Sequence, residues 1–269
     1  MTKNIGFIGC GNMAKAMIGG IVTSKLYAPQ KIMVSNPSNP SLQYIKEKFN
    51  VITTNDNIRV AEFADILILS VKPNKYMHVI DKIKTSVKQG TIIVSIAAGM
   101  SSESIEGYFG KEIKLIRSMP NTPAMVGEGM SGLSRNKYIK EEDMVVVEQI
   151  FKAFGKVEVI EERLMDVVSG VSGSSPAFVY MFIEALADGA VLEGLPRDKA
   201  YKMAAQAVLG SAKMILETGK HPGELKDEVC SPGGTTIEAV YGLEKSGFRG
   251  SIIEAVRACT EKAKVMGKK

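Results

Sequence analysis

The chain has no tryptophan, only two histidines and only three cysteines in 269 residues. Each scarcity removes a class of function. Cys10, Cys230 and Cys259 form no CxxC pair and have no histidine nearby, so a structural metal site is not expected and none is assigned. Unpaired, scattered thiols fit a reducing cytoplasm better than an oxidising compartment. His78 and His221 sit in no recognisable acid–base motif and read as structural or exposed. Apolar residues nowhere run unbroken for the roughly 18 positions of a membrane span, and the first strand begins too early to leave room for a signal peptide. Lys and Arg exceed Asp and Glu by 34 − 29 = 5, and they are dispersed. Such a surface suits small anions and offers no nucleic-acid footprint. Membrane and nucleic-acid partners are therefore not expected.

What is present divides the chain in two. Up to about residue 160, short apolar runs alternate with helical spacers: Ile5–Gly9, Lys31–Val34, Asp65–Val71, Thr91–Ile96, Ile113–Ile116 and a last run at Lys156–Ile160. Runs apolar on both faces predict a parallel sheet covered by helices. Beyond Glu162 the strand pattern stops. Helices are expected from Ser175-Pro176 to Gly194, from Pro196 to Gly219, over Glu224–Val229, and after Gly234 and Phe248. The expected fold is α/β: an N-terminal, Rossmann-type, doubly wound and mostly parallel sheet over residues 1–161. An all-helical domain over 162–269 follows, for substrate binding and dimerisation. This second part is small and very apolar, which predicts surface buried against another copy of the chain.

Gly9-Cys10-Gly11-Asn12-Met13-Ala14 reads GxGxxA between a strand and a helix. Gly9 permits the tight turn, Gly11 admits a pyrophosphate, and Ala14 keeps the helix near the sheet, while the helix N-terminus supplies donors and partial positive charge. A dinucleotide is expected there. An acidic residue at the end of the second strand would hold the ribose of NAD. None occurs between Lys15 and Lys46; the position reads Ser35-Asn36-Pro37. NADPH is accordingly expected to be preferred over NADH, although the nearest arginine, Arg59, is distant in sequence. Val71-Lys72-Pro73 and Ala97-Ala98-Gly99 follow later strands at the rim where open α/β sheets bind ligands, and Met119–Pro123 makes a rigid edge. Lys72 as a catalytic base is a weaker reading than Lys72 facing the cofactor.

A second loop, Cys230-Ser231-Pro232-Gly233-Gly234-Thr235-Thr236, opens another helix. Its amides and hydroxyls suit a carboxylate or phosphate. Two or three charge-assisted hydrogen bonds contribute roughly 4–8 kcal/mol before ordering costs, and millimolar binding needs only about 4.1. By spacing alone an ordinary helix–helix turn has equal standing.

The ordered set IGFIGCGNMA, LSVKP, SIAAGMS, RSMPNTP, SGSSPAF, EGLP and LKDEVCSPGGTTIEAVYGLE resembles pyrroline-5-carboxylate reductase over nearly the whole chain. The resemblance implies reduction of (S)-1-pyrroline-5-carboxylate to L-proline with NADPH or NADH, the last step of proline biosynthesis. It also implies a homodimer, and in many members a decamer of five dimers. It assigns cofactor contacts to Ile8, Gly9, Cys10, Gly11, Asn12, Met13, Asn36, Asn57, Val71, Lys72, Ala97 and Ala98, to which the rim argument adds Pro73 and Gly99. It assigns the imino-acid site to Glu162, Ser231, Pro232, Gly233, Gly234, Thr235 and Thr236. A cyclic imine can arrive already protonated, so no strong general acid is required and positioning should dominate. Thr236 is the expected catalytic residue, its hydroxyl on the ring nitrogen. Two alternatives share the architecture. A 3-hydroxyacid dehydrogenase needs a lysine on the first long helix of the second domain, and none lies between Lys156 and Lys199. A non-catalytic NADP sensor would bind cofactor without turnover.

Overall fold

The computed structural model describes residues 2–267. Contacts divide it into two compact units, residues up to Ser174 together with those from Arg257 onward, and Ser175–Val256. The first unit carries β1 (Ile5–Ile8), α1 (Asn12–Thr23), β2 (Ile32–Ser35), α2 (Asn39–Phe49), β3 (Ile52–Thr54), α3 (Asn57–Phe63), β4 (Ile66–Leu69), α4 (Tyr76–Ile83), β5 (Ile92–Ser95), α5 (Ser102–Phe109), β6 (Lys114–Met119), β7 (Gly129–Arg135), α6 (Glu141–Lys152), β8 (Gly155–Val159) and the short α7 (Met165–Val168). The sheet order is β3-β2-β1-β4-β5-β6-β7-β8. All neighbours are parallel except β6 and β7, which run antiparallel. Strand order reverses direction at β1, where the two halves of the sheet are wound outward.

The central strands are buried on both faces because they are built from β-branched and aliphatic side chains: IGFI, ILIL and IIVS. One face packs against α1, α2 and α6 through Met17, Ile18, Ile21, Ile45, Val147 and Phe151. The other packs against α3, α4 and α5 through Val60, Ile80, Ile83, Ile105 and Phe109. The helices register correctly because their apolar residues recur at three- and four-residue intervals.

The second unit is helical throughout: α8 (Ser175–Leu192), α9 (Arg197–Thr218), α10 (Pro222–Val229), α11 (Thr235–Lys245) and the start of α12 (Phe248–Gly267). The expected boundary at 161/162 and the compact units differ. Glu162–Ser174 packs with the sheet, held by Glu162 on Arg117 and by the Ser172 carbonyl on Asn121, and the last turns of α12 return to it. There the end of α12 packs so closely on Gly99 that a side chain at Gly99 would meet the Ala263 carbonyl at 2.9 Å.

The helical stretch Glu162–Leu192 is long and apolar enough to cross a membrane by length and composition alone, an 18-residue window within it having a mean hydropathy of 1.3. Glycine and serine interrupt its apolar residues, which hides the stretch from a search for unbroken runs.

Candidate active site

Within the first unit, β1 ends in the GxGxxA loop. Gly9 has φ +104, and a Cβ there would lie 2.6 Å from the Ser70 carbonyl oxygen, so only glycine makes this turn. A side chain at Gly11 would point into open space, which leaves room directly above the start of α1. That first turn has neither a side-chain cap nor an acidic residue. Its N–H groups are thus available to an anion. Burial pushes the Cys10 thiol up, against a smaller opposing pull from Lys15, so the loop presents no thiolate to repel a phosphate.

Neighbouring strand ends converge on this loop. The Gly9 amide donates to the Ser35 carbonyl at 2.9 Å, and the Cys10 amide to Asn36 Oδ1 at 3.2 Å. Ser35 Oγ donates to Asn57 Oδ1 at 2.7 Å. The end of β2 is therefore ringed by hydroxyl and amide groups. Glu47, the nearest carboxylate in sequence, lies on α2 and accepts from Gln43 at 2.8 Å, and Asp56 is spent on capping α3 through the Ile58 amide at 2.9 Å. Ser70 Oγ donates to the Gly9 carbonyl at 2.8 Å, joining the end of β4 to the loop. Val71 and Pro73 are partly exposed and Lys72 fully so. The β5 rim is set by Tyr76: its hydroxyl donates to the Leu69 carbonyl at 2.7 Å and lies 2.9 Å from Ser95 Oγ, which accepts from the Ala97 amide at 3.4 Å. Burial raises this phenol above its ordinary value, so it stays a neutral donor.

Glu162 also lies in this unit. Its Oε1 accepts from Arg117 Nη1 at 2.7 Å and from the Ser102 amide, the first residue of α5, at 3.0 Å. Burial alone would raise its carboxyl; the Arg117 hydrogen bond, the Ser102 amide and the Arg117 charge together hold it below the usual carboxylate range.

The second loop belongs to the helical unit. Gly233 takes φ +67, and the Gly234 amide turns back onto the Ser231 carbonyl at 3.0 Å. Gly234 then caps α11 without a side chain, so the first turn offers the amides of Thr235 and Thr236 beside their hydroxyls. Ser231, Pro232, Gly233 and Thr235 are exposed, with Gly234 and Thr236 partly so. His221 is occupied elsewhere: its Nδ1 caps α10 by accepting from the Gly223 amide at 3.0 Å. Groups of His, Cys, Asp and Glu able to hold a metal ion are absent among the described residues.

The first loop, Asn36, Asn57 and the β4 rim are thus brought together by hydrogen bonds. Ser231 to Thr236 form a continuous loop of their own. Sequence reasoning missed Tyr76 and Arg117, and it named Asn121 only as part of the Met119–Pro123 edge. Asn121 is buried, donates to the Ser172 carbonyl at 3.0 Å and accepts from the Met130 amide at 2.8 Å, fixing the edge after β6. An arginine inside an apolar strand was the one available signal, because a buried charge implies a partner.

Residues 162–266 match the family model "Pyrroline-5-carboxylate reductase dimerisation", and residues 4–99 match "NADP oxidoreductase coenzyme F420-dependent". The chain is 50% identical to the pyrroline-5-carboxylate reductase of Escherichia coli (strain K12), covering 100% of both. Among solved structures, the pyrroline-5-carboxylate reductase of Coxiella burnetii is similar with a TM-score of 0.93 at 36% identity, covering 100% of each chain. The pyrroline carboxylate reductase of Plasmodium falciparum, solved with NADP bound, has a TM-score of 0.90 at 33% identity, covering 99% of this chain and 98% of the other.

Proposed function

The chain belongs to the pyrroline-5-carboxylate reductase family, and from that premise we propose how its residues carry out the reaction. It is an NAD(P)H-dependent oxidoreductase of proline biosynthesis that reduces the carbon–nitrogen double bond of 1-pyrroline-5-carboxylate. A reduced nicotinamide, bound at the first loop, supplies the hydride.

In this reading the amides at Gly11, Asn12 and Met13 hold the pyrophosphate, and Ile8, Gly9 and Cys10 shape the turn beneath it. Asn36 and Asn57, with no carboxylate free at the end of β2, favour the 2′-phosphate of NADPH over NADH. Val71, Lys72, Pro73, Ala97, Ala98 and Gly99 line the nicotinamide half. The observation that carries the assignment is the vacant approach above Gly11 beside an uncapped helix N-terminus.

The substrate carboxylate is held by the amides from Gly233 to Thr236, with Ser231 and Pro232 shaping the loop, and Glu162 is assigned to the substrate site. The Thr236 hydroxyl hydrogen-bonds to the ring nitrogen and fixes the face of the imine. Since hydride addition neutralises an iminium, these residues orient and stabilise charge without donating a proton at carbon. The helical residues 162–269 complete the enzyme as a homodimer, with a decamer of five dimers as the larger assembly, in the cytoplasm.

Mixing the protein with the imino acid and NADPH should produce loss of the nicotinamide absorbance and an equal amount of proline. Thr236→Ala should lower kcat several-fold or more with cofactor affinity unchanged. Wild-type turnover in that variant would remove the role given to Thr236. Equal kcat/KM for NADH and NADPH would remove the cofactor preference.

A further inference from the structure

Arg117 stands inside β6 with 5% of its surface exposed, and its guanidinium faces two acidic residues. Nη1 binds Glu162 Oε1 at 2.7 Å and Nη2 lies 3.8 Å from Asp166 Oδ1. Glu162 Oε1 is shared with the Ser102 amide at 3.0 Å. Ser102 opens α5, directly after the Ala97-Ala98-Gly99 rim and Met100-Ser101. Glu162 Oε2, by contrast, is buried with no hydrogen-bond partner. The Ser102 hydroxyl is close enough to help lower this carboxyl, yet it too lacks a partner of ordinary hydrogen-bond geometry. A buried carboxylate oxygen without a donor costs free energy unless something arrives to satisfy it.

We propose that Arg117 is a positioning residue for the reduction: it clamps Glu162 by Oε1 and leaves Oε2 as the counter-charge facing the protonated imine, whose single N–H the Thr236 hydroxyl holds. The proposal rests on the reading that Glu162 lines the substrate site. The clamp is geometric and electrostatic at once. A guanidinium fork fixes the carboxylate plane where a lysine would offer a point charge. A single anionic oxygen facing the ring nitrogen favours the iminium, the form that accepts hydride most readily. The cation also keeps the half-buried Glu162 charged. Around this carboxylate stand Arg117 from β6 and the amide and hydroxyl of Ser102 from α5, with Asp166 of α7 on the far side of the Arg117 fork. On its own segment Glu161 and Arg163 pair with each other at 2.7 Å. Behind Arg117 stands the neutral Tyr76, within reach of its charge.

The test compares kcat/KM for the imino acid across pH in Arg117→Met, Arg117→Lys and Arg117→Met/Glu162→Gln, each divided by the wild-type value so that the titration of the substrate cancels. In Arg117→Met the ratio should fall several-fold toward acid, as Glu162, without the hydrogen bond and charge of Arg117, takes up a proton more readily. The double variant should show no such slope. Arg117→Lys should retain most of the activity and shift the slope to lower pH. The NADPH dissociation constant should stay flat in all three. Should Arg117→Met fail to fold by circular dichroism, the Lys variant carries the test alone. A ratio independent of pH would make Arg117 a structural residue only and overturn the proposal, as would a slope that survives in the double variant. Because each ratio requires an active wild-type enzyme, this failure is distinct from failure of the reaction assignment, which would appear as no wild-type turnover.

Discussion

In the sheet-containing unit Phe7, Met17, Ile66, Leu67, Ile80 and Phe151 are fully enclosed, and the polar residues among them are almost all bonded. Between Ser175 and Val256 the buried residues are three alanines, Ala187, Ala200 and Ala204. There Tyr180, Met181, Met203, Leu209, Leu216 and Tyr241 lie at least half exposed. A monomer seldom displays so much contiguous apolar surface without a partner for it. The first unit has its core within itself; the helical unit finds part of its core in self-association, consistent with the dimerisation model matched by residues 162–266. The same contrast accounts for the span-like stretch at Glu162–Leu192, whose apolar face is a protein interface in this reading.

The comparison can be broken in order of severity. Placing charges in the helical surface, as in Met181→Glu with Leu186→Arg, should weaken self-association by roughly 1,000-fold or more, about 4 kcal/mol. Analytical ultracentrifugation should then show monomer, with turnover near background. Gly9→Val attacks the other unit only. Its side chain would overlap the Ser70 carbonyl and require a strained φ, so the cofactor dissociation constant should rise by about 100-fold or more while the dimer persists. Unchanged cofactor affinity by fluorescence titration would show the turn to be less constrained than its geometry indicates.

Smaller effects sharpen the contrast. Tyr76→Phe leaves the Ser95 hydroxyl and the Leu69 carbonyl only their long 3.4 Å bonds from the Ala97 and Ile96 amides and should cost about 1–3 kcal/mol in denaturant unfolding. It should also loosen the cofactor through the β5 rim. Asp65 gives the smallest effect. Burial alone would raise its carboxyl, but the Asn4 amide and Lys88 hold it below the usual value of 3.8. The stabilisation is therefore complete above about pH 4 and fades as pH falls through the lower folded-state value. Both partners are more than a third exposed. Solvent screening limits Asp65→Asn to about 1 kcal/mol or less, vanishing in acid.

Much of this was legible in the chain. The runs IGFI, ILIL and IIVS declared a parallel sheet, and the five helices after Ser175 began and stopped at the serine, proline and glycine signals that marked them. Two strands were not. β3 has three residues and sits at the sheet edge with Ile52 exposed, too short for a pattern. β7 is GMSGLSR, small residues where strands usually show branched ones; a side chain at Gly132 would meet Val168 at 2.8 Å, so close packing selects against bulk there. The two anion-binding loops were readable because glycine and helix starts advertise themselves. The support beneath them was not, since Tyr76, Arg117 and Asn121 each reach a partner 19 to 51 positions away, at Ser95, Glu162 and Ser172.

The account turns on a division of labour between the two loops, and a crystal structure with NADP and proline tests it most directly. The pyrophosphate should lie on the amides that follow Gly9, with the proline carboxylate on the amides between Gly233 and Thr236. A proline bound elsewhere, with that second loop empty, would contradict it.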